Sequence, residues 1–139
     1  MLYEHWDDSY SLGFASIDAE HKRLFEIVGE IKTAIESQPA PGAARGFLER
    51  LVDHGGDDLH AIFRDCSRCT EQQAIWLQEH RAEHSYLAHR ARAFMAFNGD
   101  DECARLRDLH SFLSRWLTDH IQSNQQALRI LPLHTGEVL

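Results

Sequence analysis

Apolar residues recur at intervals of three and four along most of the 139-residue chain, and turn-rich stretches cut that pattern into four helix-length pieces. A chain so punctuated can bury its apolar stripes only by packing helix against helix. No alternating apolar–polar segment appears and β-branched residues do not cluster, which argues against strands. Helix A is expected from about Ile17 to Ser37, with Leu24, Phe25, Val28, Ile31 and Ile35 as its stripe and His21 on the same face. Pro39, Pro41 and Gly42 then break the chain. Helix B is expected from about Ala43 to Arg68, carrying Phe47, Leu48, Leu51, Val52, Leu59, Ile62, Phe63 and Cys66; Gly55 and Gly56 inside it favour a bend. Thr70 and Gln73 have the spacing of a capping box that opens helix C, which runs to about Phe97 and stops at Asn98-Gly99. Asp100 or Asp101 can cap helix D, with Leu106, Leu109, Phe112, Leu113, Trp116, Leu117, His120 and Ile121 on its stripe.

Short connections make successive helices antiparallel. The expected fold is therefore all-α: an up-down-up-down four-helix bundle forming a single domain over residues 1–139, with an N-terminal arm (1–15) and a short tail (131–139). A chain of this length can build one core without staples. The net charge of −8 and the lack of a Lys/Arg cluster exclude nucleic acid and anionic membrane as expected partners. No apolar run approaches the length of a membrane span, and the first residues have neither a basic nor an apolar signal-peptide region. Three cysteines, an odd number, fit a reducing compartment, so a cytoplasmic protein is expected. Cys66 and Cys69 have the spacing of a redox or zinc pair, but with only Cys103 remaining they read as ordinary thiols near a helix end.

Histidine placement carries the chemistry. His80 and His84 are four apart and stack on one face of helix C. His120 lies on the stripe of helix D and His21 on that of helix A, although a residue in a helix's first turn can equally sit exposed. In a bundle these stripes converge, and inward-pointing imidazoles on facing helices are how bundles build metal sites. In helix B, Leu51, Gly55, Asp58, Ile62 and Cys66 share one face, whereas His60 shares its face with charged residues. Asp58, one turn from His54, is therefore the expected inward residue, and both are candidate ligands; a buried His–Asp hydrogen bond is the alternative. His5, His89, His110 and His134 are expected at the surface or rim. Trp6 and Trp116 are expected to serve packing.

The order of these landmarks resembles the bacterial hemerythrins and the wider hemerythrin-like group. The matching residues are Trp6, Tyr10 and Gly13 in the arm, Ile17-Asp-Ala-Glu-His21-Lys-Arg-Leu-Phe25, His80-x-x-x-His84, and Phe112-Leu-Ser-Arg-Trp116-Leu-Thr-Asp-His120-Ile121. The resemblance implies a bundle that holds two irons bridged by two carboxylates and binds dioxygen. It implies three ligands to one iron at His80, His84 and His120, and the first ligand to the other at His21. The two bridging positions map onto Ile62 and Gln125, neither of which is acidic. Two divalent cations about 3.5 Å apart repel by roughly 20 kcal/mol at an effective dielectric near 20, and without bridges that repulsion is uncompensated. The expectation is a hemerythrin-like domain that binds or senses a small ligand such as dioxygen at a non-haem site of altered, mononuclear character. Iron is the metal implied, with zinc as the alternative. It is expected not to be an enzyme. The competing functions are a metal-dependent hydrolytic or redox enzyme built on three histidines, and a metal-free interaction or signalling module. Oligomeric state is left open.

Overall fold

Four α-helices make up most of the described chain in the computed structural model: α1 (Ala15–Glu36), α2 (Ala43–His54), α3 (Glu71–Ala96) and α4 (Glu102–Ile130). The structure describes residues 5–13, 15–54, 71–96 and 101–130, with the backbone alone for residues 16, 54 and 128–130. No strand occurs among the described residues. None of the described helices is long and apolar enough to cross a membrane.

Cross-helix contacts fix the directions. Glu30 of α1 pairs with Arg50 of α2 at 2.8 Å, close to the turn that joins the two helices, so they run antiparallel. The backbone carbonyl of Ile35 meets Cys103 Sγ at 3.9 Å, while His21 meets His120 at the other end of the α1–α4 pair. Helix α3 is likewise antiparallel to α4: Arg105 donates to the Phe94 carbonyl at one end, and His80 meets Asn124 at the other. The result is the expected up-down-up-down bundle, with each helix against its chain neighbour and α1 closing on α4. Its core is an aliphatic seam that includes Leu24, Ile31, Leu48, Leu87, Leu113 and Leu117. Residues of this kind, removed from water, supply the main driving force for folding.

Local signals set most boundaries. The chain passes Pro39 and Pro41 and turns at Gly42, whose φ of +86° is a left-handed conformation that glycine adopts without steric cost. Glu102 of α4 then reaches across to accept from the backbone N–H of Ala44 at 3.0 Å, satisfying one of the exposed donors in the first turn of α2. Asp101 accepts from the Ala104 N–H at 3.2 Å and caps α4, as expected. Helix α1 begins at Ala15, two residues before the expected start. Its first turn is engaged from the arm: Asp18 accepts from the Leu12 N–H at 2.9 Å and from the Ser11 hydroxyl. The arm also packs Trp6 and Tyr10 against Phe25, with ring centroids 6.0 and 5.7 Å away. The expected continuation of helix B beyond His54, the Thr70 end of the capping box, the Asn98-Gly99 stop and Cys66–Cys69 lie outside the described residues.

Candidate metal centre

Helix α3 explains how polar residues come to lie inside the bundle. Its buried positions are Gln73, Trp76, Leu77, His80, His84, Leu87, Ala88 and Ala91, one stripe spaced by three and four. The two histidines occupy core positions of that stripe because helical geometry leaves them no other face. In α4 the same spacing runs through Leu113, Leu117, His120 and Asn124, all at most 3% exposed. In α1 His21 sits one turn before Leu24 and Phe25 and is fully buried; because the helix starts at Ala15, this residue lies beyond the first turn, where it meets the histidines of α3 and α4.

The four imidazoles meet. His21, His80, His84 and His120 each present one ring nitrogen to a common spot, and those nitrogens lie within 4.8 Å of one another. His120 is the hub: its Nε2 lies 2.9 Å from His21 Nε2 and 3.1 Å from His84 Nε2. Imidazole nitrogens that share one metal ion at ~2.0–2.1 Å stand roughly 2.9–3.4 Å apart, so both spacings suit ligands of a single ion. His80 Nε2 is buried and lacks a hydrogen-bond partner among the described residues, although an unpaired buried acceptor is costly. Burial pushes the pKa of His80 down to about 3; the nearby His120 adds to the effect and the hydrogen bond to Asn124 opposes it. His80 is therefore a neutral imidazole with a lone pair to offer, as ligation requires. The residues fit a metal ion.

The surroundings are apolar on one side and polar on the other. Trp116 stacks on His120, with centroids 4.5 Å apart and planes 13° apart, and meets His84 edge-on. Trp76 lies 5.2 Å from His80. Trp116 thus packs against the site itself rather than against the aliphatic core alone. Glu20, beside His21, is 2% exposed and pairs with Arg23 at 3.4 Å, outside the histidine group. Among the described residues, that group contains four histidines and no carboxylate.

Two residues that touch the ligand candidates were not anticipated as part of the site. Glu83 Oε2 contacts His120 Nδ1 from α3, and Asn124 Oδ1 lies 3.2 Å from His80 Nδ1. The place of Asn124 on the stripe, four residues after His120, was the available signal. Gln125, which the family pattern places at a bridging position, faces elsewhere: its amide donates to the Ser9 carbonyl of the arm at 2.7 Å. His54 is the last residue of α2 as described, with its side chain outside the described atoms, and Asp58 lies outside the described residues altogether. His5 and His89 are exposed as expected, His110 is half-buried, and His134 is not among the described residues.

Comparison with known proteins agrees with this geometry. The hemerythrin HHE cation binding domain matches residues 12–128. The chain is 24% identical to a bacteriohemerythrin of Stenotrophomonas maltophilia over 123 residues, covering 88% of this chain and 76% of that protein. It is also 24% identical to the myohemerythrin of Riftia pachyptila over 117 residues, covering 84% and 83% of the two chains. A bacteriohemerythrin of Pseudomonas aeruginosa matches at 24% over 125 residues, covering 89% and 78%. No solved structure matches the chain significantly. A bundle that turns histidines from three helices onto one buried point, in a chain whose family match spans 117 of its 139 residues, belongs to the hemerythrin HHE cation-binding family.

Proposed function

We propose that this domain binds one metal ion per chain through His21, His80, His84 and His120, and uses the site to bind or sense a small ligand such as dioxygen. The observation that carries the reading is the convergence of four buried imidazoles on one spot, with no carboxylate in the group among the described residues. Iron is the metal the family implies. A bound iron ion would supply the redox-active Lewis acid to which a diatomic ligand attaches. The chain's own residues do the rest: His21, His84 and His120 bring their Nε2 atoms to ligand spacing, and Trp76 and Trp116 shield the rings from water. We read the domain as a cytoplasmic ligand-binding protein rather than an enzyme.

A single ion follows from electrostatics. Neutral imidazoles do not offset the repulsion between two dications as bridging carboxylates do. Elemental analysis of freshly purified protein, together with its visible spectrum, tests the proposal. About one metal per chain without the bands of an oxo-bridged pair is expected. Two irons per chain with those bands would refute it. No metal on purification, and no melting shift when metal or chelator is added, would instead favour a metal-free interaction module.

A further inference from the structure

We propose that Glu83 and Asn124 are positioning residues, forming a one-way hydrogen-bond relay that fixes the ring tautomers of His80 and His120 and brings a negative charge to an all-imidazole site. The inference rests on the metal-binding reading above and adds residues outside its ligand set.

The direction of the relay follows from what each atom can donate. Asn124 Nδ2 lies 3.1 Å from Glu83 Oε2 and 2.6 Å from the His120 backbone carbonyl, so both amide hydrogens face acceptors. Turning the amide over would set its oxygen against a carboxylate and a carbonyl, which only accept. The oxygen therefore faces His80, where Oδ1 is 3.2 Å from Nδ1. His80 Nδ1 must carry the proton, and its Nε2, buried and unpartnered among the described residues, keeps the lone pair.

His120 obeys the same logic. Its Nδ1 faces Glu83 Oε2 on one side and the Asn124 amide nitrogen, 3.3 Å away, on the other. The carboxylate can only accept, and both Asn124 amide hydrogens are already taken by Glu83 and the His120 carbonyl, so Nδ1–H donates to Glu83. The Nε2 lone pair then points at His21 and His84. One carboxylate on α3 thus orients a ligand on its own helix, through Asn124, and a second ligand on α4 directly. A partner on the far ring nitrogen fixes the tautomer and raises the basicity of a ligating histidine.

Charge adds a second role. A dication among four neutral imidazoles leaves two positive charges in a buried site. Glu83 sits one ring away with its side chain 39% exposed, so it keeps part of its hydration while facing that charge. Partial exposure also makes Glu83 a mild position to substitute.

The test separates tautomer from charge and both from metal binding. Glu83→Gln keeps an acceptor oxygen and loses the charge; Glu83→Ala loses both; Asn124→Ala removes the partner of His80. Long-range proton–nitrogen NMR spectra of the metal-free protein at neutral pH report which nitrogen of each ring is protonated. Nδ1–H with bare Nε2 is expected for His80 and His120 in the native chain and in Glu83→Gln. Mixed tautomers are expected for His120 in Glu83→Ala and for His80 in Asn124→Ala. Zn2+ titration against a competing chelator should show Glu83→Ala weakened by about 10–100-fold, with Glu83→Gln in between. Protonated Nε2 in the native chain would overturn the relay, as would native tautomers and native Zn2+ affinity in Glu83→Ala. The assigned tautomers in a native chain that takes up no Zn2+ would sink the metal-binding reading and the charge role, while upholding the tautomer assignment.

Discussion

Acidification of the metal-free protein should expose the cost of burying His80. The ring is 1% exposed, and its pKa falls from 6.5 to about 3, chiefly because burial disfavours the charged form. In the unfolded chain the same histidine titrates near its ordinary value. Above pH 6.5 both states hold it neutral and it makes no pH-dependent contribution. Below pH 6.5 the unfolded chain takes up a proton that the folded chain refuses until about pH 3, so stability falls as pH falls across that window. The slope is about 1.4 kcal/mol per pH unit, which amounts to about 3 kcal/mol between pH 6.5 and 4.

Carboxylates titrate in the same range, so the comparison that isolates His80 is with His80→Leu. Urea unfolding of both chelator-treated proteins at intervals from pH 7.5 to 4 gives two stability curves. The difference between them should be flat above pH 6.5 and grow to about 3 kcal/mol in the variant's favour at pH 4. Parallel curves across the whole range would show that His80 is neither desolvated nor held neutral, and would refute the reasoning.

Other consequences are smaller or more local. Leu113→Ala removes a fully buried side chain from the seam between helices and should cost about 2–5 kcal/mol in denaturant unfolding. Asp18→Ala deletes the acceptor for the Leu12 N–H and the Ser11 hydroxyl; amide exchange at Leu12 should accelerate, with a stability loss of about 1–2 kcal/mol. Asp101→Ala removes the cap on α4 and should cost about 1 kcal/mol in thermal melting, without changing metal uptake.

Much of this architecture was legible in the sequence because helix periodicity and turn chemistry are local. The stripe from Leu24 to Ile31, the break at Pro39, Pro41 and Gly42, and the Asp101 cap each follow from residues close together in the chain. His80 and His84 could be paired from their spacing alone. That His21 is buried depends on the histidines that α3 and α4 bring against it, which no local pattern reports. The arm's engagement of Asp18 and the cap that Glu102 places on α2 were likewise hidden, since each joins separate elements.

Glu83 and Asn124 show where pattern reading stops. Glu83 precedes His84 on a helix face that sequence alone assigns to solvent, yet its carboxylate reaches a ring on α4. Asn124 lay on the legible stripe, but the family pattern drew attention to Gln125, one residue further. A step of one residue turns a helix side chain by about 100°, which separates the interior of the site from the arm. Periodicity was the better guide at that position.

The central claim is that imidazoles from three helices hold one ion without acidic bridges. X-ray absorption at the edge of the co-purified metal tests it most directly. A first shell of imidazole nitrogens, with multiple-scattering features of about four rings and no metal–metal vector, is expected. A metal–metal vector accompanied by bridging oxygen scatterers would contradict it.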